Sequence, residues 1–238
     1  MTPSPLDETL AQIRQQISWA LDRAGRRGQT VRLIGVTKGK SAENIAQALR
    51  LGLRDIGENY LQEWQGKQAQ LNQILGAEAK DIVWHFIGHL QSNKVRGVVG
   101  QAEWIHTVDS LKLASKISQA AGAVGCSQKI LLEVNLAAEP TKSGFPPSEL
   151  SKALAPLAAL PHLSIAGLMA IPPMAEDPEK SRPYFRQLKS TLDECNRSGV
   201  FTKPFTELSM GMSQDFMVAI EEGATMVRVG TALFGPRP

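Results

Sequence analysis

A lysine at the end of an apolar run is the residue of this chain best suited to covalent chemistry. Lys38 follows residues 31–37, which have the pattern of a buried strand. An amine that is partly removed from water can attack an aldehyde and form a Schiff base. Lys40 would share the same face if the strand continued, so periodicity alone leaves the choice between the two lysines open. A solvated surface lysine is the alternative for both.

Two loops near the end of the chain have a composition that suits an anion. Ser209, Gly211 and Ser213 stand between a short apolar run and a helical pattern, and Gly230 with Thr231 follows the next apolar run. Unpartnered N–H groups and the positive end of a helix dipole favour negative charge at such positions. Ordinary helix caps are the alternative for a serine-rich loop. Two consecutive loops of this kind are typical of the phosphate site of a (β/α)₈ barrel.

Arg228 lies inside the apolar run of residues 226–230. Burial of a guanidinium is costly unless a partner meets it. A ligand at the barrel mouth would supply that partner. The structural alternatives are an ion pair with Glu133 or Glu58, or a side chain that extends to the solvent at the rim. The sequence leaves these explanations open.

The histidines and cysteines do not indicate a metal site. His85 and His89 are four residues apart, but the glycine between them breaks any helix that would bring them together. Cys126 and Cys195 stand alone, which is typical of a reduced, cytoplasmic protein. No Ser-His-Asp or HExxH arrangement is present in the sequence. We therefore expect no bound metal.

Apolar periodicity predicts one extra N-terminal helix, at residues 6–25, followed by about eight strand–helix alternations. The near-continuous apolar strands indicate a sheet covered on both faces. An open doubly wound sheet is less consistent with the sequence, because no GxGxxG follows the first strand. The predicted fold is an α/β (β/α)₈ TIM barrel that forms a single domain over residues 1–238. Its strands are predicted at residues 31–37, 54–58, 81–88, 104–108, 129–135, 163–170, 206–208 and 226–231. Among its helices, one is predicted at residues 91–99, and Ser41 and Ser110 are predicted to cap two others.

Composition excludes several classes of partner. Among 238 residues, Lys+Arg 26 and Asp+Glu 23 are interspersed and leave a net charge of +3, so no basic block indicates nucleic acid. No apolar run approaches the ~20 residues that span a bilayer, and the N-terminal residues do not form a signal peptide. We expect a cytoplasmic protein without a nucleic-acid or membrane partner.

Several motifs resemble those of the pyridoxal 5′-phosphate homeostasis protein family, whose members are barrels related to the N-terminal domain of alanine racemase. The segments HFIGHLQxNK and LSMGMSxD are together the most specific, and the similarity runs in register over nearly the whole chain. The matching segments are VTK at 36–38, GENY at 57–60, WHFIGHLQxNK at 84–94, KSG at 142–144, GLM at 167–169, LSMGMSxD at 208–215 and VRVGxxLFG at 227–235.

This resemblance implies a fold-type III barrel that binds pyridoxal 5′-phosphate, with Lys38 holding the cofactor as an internal aldimine. It also implies that Arg228 faces the pyridine nitrogen. The remaining cofactor-binding residues would line the ring (Asn59, Met169 and His85) or hold the phosphate (Ser209, Ser213, Gly230 and Thr231, with the backbone around Met210 and Gly211).

The resemblance further implies a monomeric protein that binds and delivers the cofactor to transient apoenzyme recipients, without substantial catalysis of its own. A fold-type III racemase or decarboxylase is the main alternative. Racemases need an acid–base group on each cofactor face, and the two tyrosines, Tyr60 and Tyr184, do not obviously supply one. A cofactor-free aldolase acting on a sugar phosphate is a third hypothesis. Lys142 is a candidate accessory amine, or else a solvated loop lysine.

Overall fold

Eight parallel strands close into a barrel in the computed structural model, which describes residues 4–139 and 142–236. Neighbouring strands pair in chain order, and the first strand pairs with the last. The predicted (β/α)₈ fold is confirmed. The strands are β1 (Arg32–Val36), β2 (Asp55–Glu58), β3 (Val83–Phe86), β4 (Trp104–Val108), β5 (Gln128–Glu133), β6 (Leu163–Met169), β7 (Glu207–Met212) and β8 (Met226–Val229).

Helices surround the barrel, and the predicted extra N-terminal helix is the first of them. Ser4 caps it, and Pro5 occupies its first turn, where the missing N–H costs nothing. Ser41 and Ser110 cap the second and fifth helices, as predicted. The helices are α1 (Pro5–Arg23), α2 (Ala42–Arg50), α3 (Leu61–Leu75), α4 (Val95–Val98), α5 (Leu111–Ala123), α6 (Pro147–Ala158), α7 (Arg182–Arg197), α8 (Phe216–Glu221) and α9 (Thr231–Phe234).

Two elements differ from their predicted bounds. The helix predicted at residues 91–99 is only α4, because the residues before it form a turn in which Lys94 N donates to Gln91 O at 2.9 Å. Strand β7 continues to Met212 instead of ending at residue 208. Ser209 pairs with β6 and β8, and this buried position between two strands outweighs the low strand propensity of a serine–glycine segment.

The apolar core has two parts. The larger lies between the strands and the helices, and the smaller fills the barrel interior. The interior part is formed by Ile34, Trp104, Leu131, Met169 and Met226. Within the described ranges, none of the helices has both the length and the apolar character needed to cross a membrane.

Candidate functional site

Four adjacent strands bring five of the eleven predicted cofactor-binding residues to one rim of the barrel. Strand β1 pairs with β8 on one side and β2 on the other, and β7 pairs with β8. Parallel strands end on the same edge, which is where barrels of this type place their functional residues. The residues that follow these four strands at the rim are Ser213, Gly230, Thr231, Lys38 and Asn59. Met169 ends β6 and is 1% exposed, against the interior core.

Lys38 lies in a tight turn directly after β1. Lys40 N donates to Thr37 O at 2.9 Å, which closes the turn. Gly39 takes a φ of 71°, a conformation that glycine adopts without strain. The turn formed by Thr37-Lys38-Gly39-Lys40 therefore fixes the position of Lys38 at the end of β1.

A buried ionic cluster on the outer side of the wall holds this turn. We call Thr37, Glu58, Glu63 and Lys67 the ionic cluster. Lys67 Nζ lies 2.6 Å from Thr37 O, from Glu58 Oε1 and from Glu63 Oε1, and Glu63 accepts a hydrogen bond from Gly39 N, also at 2.6 Å. Burial raises the pKa of Glu58, and the hydrogen bonds from Lys67 and Thr37 oppose that rise. Both sides of the turn are thus attached to helix α3.

The two candidate lysines differ in what their amines contact. Lys40 Nζ donates to Phe234 O at 2.9 Å and to Pro236 O at 2.6 Å, so it is used to attach the C-terminal segment. Lys38 is half-buried, and its amine forms no hydrogen bond or ion pair within the part of the chain that the structure describes. This contrast favours Lys38 for covalent chemistry.

Arg228 points into the barrel interior and is 5% exposed. Its Nη1 donates to Ser209 Oγ at 2.5 Å and its Nη2 donates to Ala170 O at 3.0 Å. Among the described residues no carboxylate lies within ion-pair distance of it, so the alternative of an ion pair with Glu133 or Glu58 is wrong. Burial lowers the pKa of Arg228 to about 10, which still leaves the guanidinium charged at neutral pH.

Five side chains from five strands form a continuous hydrogen-bonded series, which we call the interior chain. It runs from Asp55 through His85, His106 and Ser209 to Arg228. The Asp55–His85, His85–His106 and His106–Ser209 distances are each 2.9 Å. Burial lowers the pKa of both histidines, and that of His106 lies well below its usual range.

The interior chain includes two of the predicted cofactor-binding residues, Ser209 and His85. The Ser209 hydroxyl is fully buried, and it forms hydrogen bonds with His106 and Arg228 inside the barrel. Both ring nitrogens of His85 are also used inside the protein. Direct contact of either residue with a ligand, which the resemblance implies, stays a prediction.

The two predicted anion loops meet at Ser213. Its Oγ accepts hydrogen bonds from Gly230 N and Ala232 N, each at 3.2 Å, which joins the loop after β7 to the start of α9. Thr231 is exposed beside them. The loops therefore meet at one place, where N–H groups and hydroxyls gather.

Met210 and Gly211 lie within β7 instead of in a loop. The pairing of β7 with β8 shifts between residues 209 and 212, which indicates a β-bulge. Gly211 has a φ of 91°, and a Cβ atom there would lie 2.6 Å from Ala219 Cβ, so only glycine fits. The Met210 side chain is buried in the outer core, which leaves only its backbone for a ligand.

A cavity of about 260 Å³ opens at the barrel mouth beside the rim. Asn59 and Glu133 line it, and Asn59 Oδ1 is buried without a hydrogen-bond partner among the described residues. Burial, reinforced by the negative charge of Asp109, raises the pKa of Glu133 to about 7. Lys142 also lines the cavity and pairs with Glu139 at 2.7 Å. Its use as an accessory amine stays a prediction.

Sequence reasoning missed Asp55, His106 and Lys67 as members of buried polar networks. Asp55 and His106 are polar residues within short apolar strands, and this is the signal that could have identified them. Lys67 lies on the same helical face as the buried residues Trp64 and Leu71. Among the described residues no group of three or more His, Cys, Asp or Glu side chains could hold a metal ion.

Comparison with known proteins gives consistent similarities over the whole barrel. The family model described as alanine racemase, N-terminal domain, matches residues 9–238. The pyridoxal phosphate homeostasis protein of Aquifex aeolicus is 42% identical over 97% of each chain. That of Escherichia coli K12 is 40% identical over 96% of this chain and 95% of its own.

Solved structures show the same pattern. PipY of Synechococcus elongatus, solved with PLP bound, has 37% identity and a TM-score of 0.83, with 97% of this chain and 100% of that chain covered. An alanine racemase of Clostridium difficile has 18% identity and a TM-score of 0.67, and 56% of that chain is covered. The second similarity shows a shared fold only.

Proposed function

The chain belongs to the pyridoxal phosphate homeostasis family, which has the alanine racemase N-terminal domain, and we propose that it binds pyridoxal 5′-phosphate on Lys38. In this role it holds the cofactor and delivers it, and so supports the balance of vitamin B6 and amino acids. The observation that carries the proposal is a half-buried lysine amine that has no partner among the described residues, at the rim shared with the anion loops.

The polar groups left unsatisfied at the site fit the functional groups of the cofactor. The Lys38 amine matches an aldehyde, and the buried Asn59 Oδ1 matches a hydroxyl donor on the ring. Arg228 has five N–H donors but uses them on only two acceptors in the described chain, which leaves donors for a ring nitrogen. Met169 supplies an apolar surface beside them.

The rim residues would hold the phosphate. The hydroxyls of Ser213 and Thr231 would donate to its oxygens, and the N–H groups of Gly230 and Ala232 would exchange their hydrogen bond to Ser213 Oγ for one to the phosphate, because charge-assisted hydrogen bonds at backbone amides favour an anion. The backbone of Met210 and Gly211 borders this site through the β-bulge.

When bound, the cofactor supplies an aldehyde that condenses with a primary amine and releases water. The residues of this chain would orient it: the ionic cluster fixes the turn that bears Lys38, and Arg228 would donate to the ring nitrogen without giving up its proton. An unprotonated ring nitrogen stabilises a carbanion poorly, which is the reason we favour a carrier over an enzyme. A racemase or decarboxylase remains the alternative.

The attachment site is tested by absorbance spectra before and after borohydride reduction, followed by peptide mapping. Wild-type protein loaded with the cofactor should show a visible band that reduction removes, with the label on Lys38. Lys38→Ala should abolish the reducible band, whereas the matched Lys40→Ala variant should retain it. A label that maps to Lys40 would overturn the assignment. A protein that is colourless and takes up no cofactor would favour the cofactor-free aldolase.

A measurement of turnover distinguishes the carrier hypothesis from the racemase or decarboxylase hypothesis. Purified, loaded protein should show negligible racemase or decarboxylase activity with the common amino acids, and it should restore activity to a cofactor-free enzyme added as recipient. Sustained turnover of about 1 s⁻¹ or faster would contradict the carrier role. The expectations of a monomer and of a cytoplasmic location stay predictions, and light scattering tests the first.

A further inference from the structure

The interior chain connects the cofactor end of the barrel to its opposite end. Arg228 and Ser209 lie on β8 and β7, and the His106–Ser209 hydrogen bond crosses the interior to β4. His85 then leads to Asp55 near the start of β2, where Arg32 also donates to the carboxylate at 3.1 Å. The histidines and Ser209 are at most 1% exposed, so water does not compete for their hydrogen bonds.

Chemistry at the two ends determines the direction of every hydrogen bond in the interior chain. A guanidinium only donates and a carboxylate only accepts. Burial opposes a charged Asp55, but the hydrogen bonds from His85 and Arg32 keep its pKa low, so it accepts from His85 Nε2–H. A neutral His85 must then accept at Nδ1 from His106 Nε2–H. His106 Nδ1 in turn accepts from Ser209 O–H, and Ser209 Oγ accepts from Arg228.

We propose that the interior chain is a one-way positioning relay, in which His85, His106 and Ser209 orient Arg228 as a donor toward the cofactor ring. This inference rests on the proposed function, because the ring belongs to the proposed cofactor. If every hydrogen bond of the interior chain were reversed, the Ser209 hydroxyl would have to donate to the Arg228 guanidinium, which cannot accept a hydrogen bond. The relay therefore permits one arrangement of protons, and rotation of Arg228 would break it.

The direction of the relay is testable without cofactor, by nitrogen-15 NMR of the histidine rings in the unloaded full-length protein. The chain has four histidines, and the two exposed ones are assigned with His89→Asn and His162→Asn. We expect His85 and His106 both to be neutral with the proton on Nε2 at pH 7. A proton on Nδ1 of either ring, or a charged ring, would overturn the relay. This readout stays valid even if the protein binds no cofactor, so the two failures are distinguishable.

The positioning role is testable from the remote end, because Asp55 lies at the opposite end of the relay from Arg228. Asp55→Leu removes the final acceptor and should weaken cofactor binding about five- to tenfold, the loss expected for about one hydrogen bond. It should also change the ring tautomers and shift the visible band. Asp55→Asn retains an acceptor oxygen and should restore affinity to within about twofold.

Arg32→Met is the matched control, because it removes the ion pair with Asp55 but leaves the His85–Asp55 hydrogen bond, which contributes more than Arg32 to keeping the pKa of Asp55 low. It should leave the tautomers, the visible band and the affinity unchanged. Equal losses in Asp55→Leu and Arg32→Met, or an Asp55→Leu variant with unchanged affinity, would overturn the positioning role. The tautomer measurement on wild type remains decisive if Asp55→Leu does not fold.

Discussion

The two faces of strand β2 carry buried polar networks of opposite kinds. Glu58 faces outward and joins the ionic cluster, where a lysine meets two carboxylates. Asp55 faces inward and begins the interior chain, where two neutral histidines and a serine separate the charged ends. The ionic cluster holds a segment of backbone through attraction, and the interior chain transmits a hydrogen-bond direction. The comparison shows how one strand can serve the lysine and the arginine of the same site by different means.

The largest expected effect comes from removing the cation of the ionic cluster. Lys67→Met leaves the buried Glu58 carboxylate without its partner, and we expect a loss of about 3–5 kcal/mol in the free energy of unfolding. Urea denaturation followed by tryptophan fluorescence measures it. Lys189→Met breaks an exposed pair with Asp193 and should cost about 1 kcal/mol or less. Equal losses in the two variants would show that the ionic cluster does not hold the turn.

The next-largest effect is on cofactor affinity, and it distinguishes Ser213 from Ser209, which lie on the same strand–loop segment. Ser213→Ala should weaken binding of pyridoxal phosphate by about 1–3 kcal/mol and leave phosphate-free pyridoxal unaffected, because it removes a hydrogen bond to a charged group. Ser209→Ala should weaken both ligands, because Ser209 acts through Arg228. Calorimetry with the two ligands measures the difference. If both variants weaken the binding of pyridoxal phosphate but not that of pyridoxal, Ser209 contacts the phosphate directly.

The smallest effect is in the pH dependence of stability. Buried neutral histidines take up protons on unfolding, so His85 and His106 reduce stability as the pH falls below 6.5. Glu133 acts in the opposite sense, because its pKa is raised from 4.5 to about 7 in the folded protein. The stability it contributes is fully present below pH 4.5 and is lost as the pH rises through about 7.

Between pH 5 and 6.5, Glu133 therefore offsets part of the histidine effect. Glu133→Gln should make the fall in stability toward acid pH steeper, by up to about 1.4 kcal/mol per pH unit. Denaturant unfolding at several pH values measures the slope, and the exposed Glu149→Gln serves as control. An unchanged or shallower slope in Glu133→Gln would contradict the assignment.

The sequence predicts the barrel well because its strands are buried on both faces and are almost continuously apolar. The order of the strands also places Lys38 and the two anion loops on one rim. The length of β7 was not predictable from propensity, since pairing with both neighbours keeps the small residues Ser209 and Gly211 in the sheet.

The interior chain could not be predicted, because its hydrogen bonds join residues that are far apart in sequence. His106 and Ser209 are separated by 103 positions, and no local pattern indicates that they meet. The choice between Lys38 and Lys40 was likewise decided by a distant contact, that of Lys40 with the carbonyl oxygens of Phe234 and Pro236. Periodicity describes which face of a strand is buried, but it does not identify the partner on another strand.

Closure of the barrel by its first and last strands has a consequence for biosynthesis. Strand β1 is complete early in translation, but its partner β8 ends at Val229, near the end of the chain. At about 5–20 residues per second, the lysine emerges many seconds before the segments that we propose bind the phosphate. Until β8 is made, the nascent chain has Lys38 but not the complete rim, so we expect stable uptake of the proposed cofactor only after β8 has been synthesised.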